Sequence, residues 1–219
     1  MHRRNFIAGL LAAGLALAPA ASAWAQAATP APLPEADRAL LARIEGYLDG
    51  LTTLRARFTQ ANADGSEDHG VLWLARPGHA RIEYAPPTDI LVVADGTWLI
   101  YYDAELDQVS HVPLGTGPFR FLLEDDVKLS GEVAVTSLEV GAGLVRVTLV
   151  DRERADEGRV TLVFDAEPLS LRQWQVLDAQ GFLTTVTLDD QVAGESYPRR
   201  MFYFPDSARK RDFREGEHE

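Results

Sequence analysis

A 219-residue chain with no cysteine and a formal net charge of −12 excludes a disulfide-stabilised exported domain and a basic, nucleic-acid-binding surface. The acidic balance also opposes spontaneous adsorption to anionic lipid heads, so any membrane encounter is expected to run through a protein partner.

Met1-His2-Arg3-Arg4 and the apolar run 6–18 read as an export signal too short to span a bilayer. Ala21-Ser22-Ala23, Ala23-Trp24-Ala25 and Ala25-Gln26-Ala27 are overlapping small-x-small cleavage patterns, and the expected cut follows Ala27. Arg3-Arg4 before Asn5-Phe6-Ile7 fits a twin-arginine signal, and an ordinary Sec signal equally. Residues 28–219 then carry 19 basic and 33 acidic side chains, a balance of −14. They hold no second apolar run of spanning length and no cysteine for a lipid anchor, so the expected destination is the periplasm.

A Pro/Ala-rich leader, 28–34, precedes one domain expected over 35–206. Leu40, Leu41, Ile44, Leu48 and Leu51 recur at three- and four-residue spacing, which predicts a helix that starts near acidic Glu35 and Asp37 and stops at Gly50. The period then becomes two. Leu54, Ala56 and Phe58 alternate with Arg55, Arg57 and Thr59, the pattern of a half-buried strand. Ala63-Asp64-Gly65-Ser66 closes a hairpin, and Asp95-Gly96 between apolar runs is the strongest hairpin signal in the chain. Further strands are predicted near 70–75, 79–84, 89–94, 97–102 and 108–112. Residues 118–124 (PFRFLLE) read as a short helix or turn with Pro at its first position. Strands resume at 133–139, 144–151, 159–165, 170–177, 182–189 and 200–204, and 207–219 is a mixed-charge tail. This pattern predicts a mainly β fold, one antiparallel sheet curved into a barrel or half-barrel.

Several segments in order carry a resemblance: LRARFTQ (54–60), GVLWLARPG (70–78), RIEY (81–84) with Pro87, VADG (93–96), YYD (101–103), LDQ (106–108), GPF (117–119) and FYFP (202–205). Together they resemble the periplasmic outer-membrane lipoprotein carrier (LolA) family. The resemblance implies an incomplete, twisted antiparallel β-barrel of about eleven strands, with a lid of short helices over an apolar cavity. It implies a chaperone that takes acylated lipoproteins from an inner-membrane ABC exporter, covers their acyl chains and passes them to an outer-membrane acceptor. By the same resemblance Arg76 is the lid latch, since an arginine fork donates several hydrogen bonds at once to backbone carbonyls. Two departures stand out. Ala80 and Ile82 occupy positions where family members often have large aromatics, and Pro205-Asp206-Ser207-Ala208 replaces the usual continuation.

The expected cavity lining is Phe58, Trp73, Ile82, Tyr84, Leu91, Val93, Trp98 and Ile100, with Phe119, Leu122 and Leu123 from the lid; a one-residue slip would reverse any strand's share of it. A binding or lipoprotein-sensing module on the same scaffold is the alternative, and single-domain length favours the carrier. Catalysis finds no support, because the chain has no cysteine nucleophile and no Gly-x-Ser-x-Gly elbow. Glu124-Asp125-Asp126 has the carboxylates to bind a cation such as calcium but reads as a solvated acidic face, residues 64–69 lack the ligand spacing of a calcium loop, and His69, His79, His111 and His218 are scattered. No metal, cofactor or nucleic acid is expected, and the protein is expected to be a monomer.

Overall fold

The computed structural model describes residues 34–114 and 120–204. One long helix, α1 (Glu35–Gly50), leads into six strands, β1 (Thr53–Ala61), β2 (Glu67–Ala75), β3 (His79–Tyr84), β4 (Ile90–Asp95), β5 (Trp98–Asp103) and β6 (Gln108–Pro113). A single turn of helix, α2 (Arg120–Leu123), separates these from β7 (Val133–Gly141), β8 (Leu144–Asp151), β9 (Gly158–Ala166), β10 (Leu169–Asp178) and β11 (Leu183–Ala193).

All eleven strands form one antiparallel sheet in the order β6-β5-β4-β3-β2-β1-β11-β10-β9-β8-β7. Two meanders therefore meet at a central seam, where β1 pairs with β11 from Leu54 opposite Ala193 to Ala61 opposite Thr185. β6 and β7 are the edges, and they do not pair with each other among the described residues, so the barrel stays open.

The apolar face of α1 buries Leu41, Ile44 and Leu48, as its spacing predicts, against a core that includes Phe164, Leu171 and Trp174. Tyr47 stands edge-on to Phe164 at 6.0 Å. Where β10 shifts register at Leu171, the Leu171 N–H donates to the Tyr47 hydroxyl at 2.9 Å. A buried donor freed by a bulge needs such a partner.

The other face of the sheet has a smaller core. Leu91, Val93, Ile100 and Tyr102 close under Phe204, whose ring lies 5.2 Å from that of Tyr102. The chain reaches this face through a 3-10 turn, Arg199–Phe202. Residues 200–204 were predicted as a strand, and the structure corrects this: they strap the sheet's outer face and stand outside its strand order. Arg81, only 8% exposed, holds the strap by donating to the Met201 carbonyl at 3.2 Å, while its Nε pairs with Glu83. Every other predicted strand falls within a few residues of an observed one.

Candidate functional site: a lidded apolar cavity

Strands β5 through β1 and on to β11 and β10 wrap a cavity of about 320 Å³, with the end of α1 and the lid helix α2 at one end. Leu72 and Leu74, Ala80 and Ile82, Val92, Leu99, Trp174, Val186 and Leu188 form most of the wall. Leu51, Leu122 and Leu123, all buried, close the lid end. Phe58 lies on the same face but in the packed core, edge-on to Tyr84 at 5.1 Å. Its ring covers Gly70, where a Cβ would stand 2.1 Å from the Glu83 carbonyl oxygen and 2.6 Å from the ring itself.

Arg76 ties the lid down. Its Nε donates to the Glu124 carbonyl at 2.8 Å, Nη2 reaches Glu124 and, at 3.4 Å, the Asp125 carbonyl, and Nη1 donates to the Leu48 carbonyl at the end of α1. The side chain is 5% exposed, and its nearest carboxylate, Asp49, is 3.9 Å away. Burial lowers the guanidinium pKa from its ordinary value, and Asp49, Asp125 and Glu124 oppose that shift. Further bonds hold the lid. Gly78 N–H donates to the Leu123 carbonyl at 2.8 Å, and the carboxylates of Asp49 and Glu45 accept from the N–H groups of Val127 and Leu129, each at 2.8 Å.

The opposite end of the cavity, beside the β1–β2 and β3–β4 turns, is its mouth. Tyr101 there is 40% exposed although it lines the cavity, and Gln60, Tyr84, Val176 and Thr184 are half-buried. The Tyr84 hydroxyl donates to Gln60 at 2.9 Å, Gln60 donates to Asn62 at 2.8 Å, and Asn62 donates to Asp68 at 2.7 Å. Thr88 of the β3–β4 turn donates to the same Asp68 carboxylate. Burial, with the charge of Asp68 behind it, pushes the Tyr84 pKa up to about 12.

Of the expected lining, Ile82, Tyr84, Leu122 and Leu123 face the cavity. Leu91, Val93 and Ile100 do not. They belong to the core under the strap, and Trp98, 41% exposed, stands edge-on to His111 on that same outer side. Trp73 likewise points outward, between Leu72 and Leu74, which point in. Phe119 lies outside the described residues. Leu72, Leu74, Val92, Leu99 and Tyr101 were not anticipated. A signal for them existed, because residues directly opposite in an antiparallel pair share a face. Phe58 pairs with Gly70, Leu74 with Ala80, Ile82 with Val92 and Ala94 with Leu99, so the clear alternation of β1 sets the parity of every strand to β5.

Residues 49–205 match the family described as Outer membrane lipoprotein carrier protein LolA. The chain is 32% identical to an outer-membrane lipoprotein carrier protein of Pseudomonas fluorescens, across 77% of this chain and 85% of that protein. To its counterpart in Alkalilimnicola ehrlichii it is 36% identical, across 70% of this chain and 72% of that protein. Among solved structures, a LolA superfamily protein from Nitrosomonas europaea matches at a TM-score of 0.44 and 9% identity, across 75% of this chain and 97% of that one.

Proposed function

The chain belongs to the outer membrane lipoprotein carrier protein LolA family, and on that premise we propose that it is a periplasmic chaperone for lipoprotein acyl chains. One observation carries the reading: an apolar cavity covered at one end by a lid whose backbone carbonyls accept from a guanidinium. Each buried methylene is worth about 0.8 kcal/mol, so a whole acyl chain exposed to water would cost roughly ten kcal/mol or more. A soluble carrier must therefore enclose the chains, and must also let them go.

With the lid down the cavity, about 320 Å³, is at the lower end of the ~300–1,000 Å³ that drug-sized ligands fill. An acylated protein needs more room, so the lid moves during loading. Arg76 suits a latch of this kind. Its closest partners are carbonyl oxygens, which water can replace when the lid lifts, and no tight carboxylate pair has to be broken. Ile82, Tyr84, Leu122 and Leu123 contact the acyl chains. The cargo comes from an inner-membrane ABC exporter and passes to an outer-membrane acceptor. The protein performs no chemistry on it, and reaches the periplasm through the cleaved signal at residues 1–27.

The test is release of a triacylated lipoprotein from spheroplasts carrying its exporter, with and without the folded protein lacking residues 1–27. A soluble one-to-one complex supports the carrier. No release, with the protein shown to be folded by circular dichroism, overturns it in favour of a free-lipid binder or a sensor.

A further inference from the structure

The cavity mouth differs chemically from the rest of the wall. Apart from the Trp174 indole, the hydrogen-bonding side chains among the described lining residues are Gln60, Tyr84, Tyr101 and Thr184. All four stand at one end. Gln60 is next to last in β1, Tyr84 is last in β3, and Thr184 is second in β11, whose start lies beside the end of β1. Tyr101 joins them from β5, and its pKa and that of Tyr84 both feel the charge of Asp68.

Their bonding states differ. Tyr84 and Gln60 are tethered through Asn62 and Asp68 to both neighbouring turns, which fixes that part of the rim. The hydroxyls of Tyr101 and Thr184 have no hydrogen-bond partner among the described residues. Tyr101, as a phenol, is a donor at neutral pH, and burial with the nearby Asp103 and Asp68 raises its pKa further. The mouth thus offers two unengaged O–H donors beside a fixed rim, above an apolar interior. The complementary ligand is apolar with acceptor oxygens at one end.

We propose that the mouth is a subsite for the ester or amide carbonyls that join acyl chains to a polar body, with Tyr101 and Thr184 donating to carbonyl oxygens. Tyr84, committed to Gln60, is a positioning residue that holds the rim. This rests on the acyl-carrier reading and adds to it that the protein distinguishes an acyl group from a plain hydrocarbon chain. A carbonyl oxygen left without a donor at a half-buried mouth loses its water bonds with nothing in exchange.

Two lipids of equal chain length test this: 1-palmitoyl-lysophosphatidylcholine and its 1-O-hexadecyl ether analogue, which lacks the carbonyl. Binding is read by displacement of a fluorescent apolar dye, below the micelle threshold, on the chain lacking residues 1–27. One net hydrogen bond predicts about a threefold to tenfold preference for the ester. Tyr101→Phe combined with Thr184→Val should abolish that preference, bringing ester and ether to equal affinity, with circular dichroism confirming the fold. Equal binding of both lipids by the unsubstituted protein, or a preference that survives in the double variant, overturns the subsite and leaves the acyl carrier standing. Binding of neither lipid overturns the carrier reading itself.

Discussion

Two arginines five positions apart hold two segments onto opposite faces of one sheet, and what lies beneath each segment is different. Arg76 fastens the lid over an open apolar space, using backbone carbonyls. Arg81 fastens the C-terminal strap over Leu91, Val93, Ile100 and Tyr102, which leave none of their bulk to solvent, and it is itself paired with Glu83. Lifting the lid exposes surface that the cavity already leaves unpacked, whereas lifting the strap would take a close-packed core apart. The same guanidinium-to-carbonyl chemistry therefore ties one segment over an unpacked cavity and the other over a packed core.

The largest expected effect comes from placing one charge on each face. Leu91→Asp buries an unpaired carboxylate under the strap and should cost more than about 4 kcal/mol in urea denaturation, if the variant folds at all. Ile82→Asp, on the half-buried inner wall, should fold and fail to take up lipid. A Leu91→Asp protein with near wild-type stability would break the contrast. Next comes Arg81→Leu, which strands the Glu83 carboxylate and should lower global stability by about 3 kcal/mol without changing exchange at the lid amides.

Arg76→Leu should do the reverse. We expect about 1–2 kcal/mol of global destabilisation, with faster hydrogen exchange at the Val127 and Leu129 amides that the α1 carboxylates hold, and altered lipoprotein hand-off. Unchanged exchange and wild-type transfer would remove the latch.

The smallest effect is a pH dependence at the mouth. The Tyr84 pKa is raised in the folded state, so its contribution is complete below about pH 10, its ordinary value, and is lost as pH climbs through about 12. Between pH 9 and 11 the wild type should lose more stability than Tyr84→Phe. Equal losses would mean the hydroxyl is not held by its buried network. Tyr197, also pushed up to about 12, titrates in both proteins and cancels in the comparison.

The two faces were not equally legible in the sequence. α1 and β1 showed their buried sides plainly, because each has one apolar side and one polar side. β4 and β5 did not. Residues 90–94 and 98–102 are apolar at every position, since one side meets the cavity and the other meets the strap, and a strand buried on both faces carries no alternation. Nothing in these runs marks which side meets the cavity, and Leu91, Val93 and Ile100, which lie under the strap, were assigned to it. Arg76 was singled out only through the family resemblance, because on its own the Arg-Pro-Gly turn after β2 reads as an ordinary surface turn. Its partners were not legible, since Glu124 is 48 residues away along the chain.

The central seam has a consequence for how the molecule is made. Leu54 meets Ala193 only when nearly the whole chain is available, so the middle of the sheet is its longest-range contact, while the hairpins on either side are local. Folding should therefore run from two early, separate meanders to a late and slow joining, as loop-closure entropy demands of such pairings. Until β11 arrives, β1 is an unprotected edge, and a chain shortened before residue 183 would keep it so. Such an edge invites intermolecular pairing, which makes the joining step the point at which this protein is most exposed to aggregation.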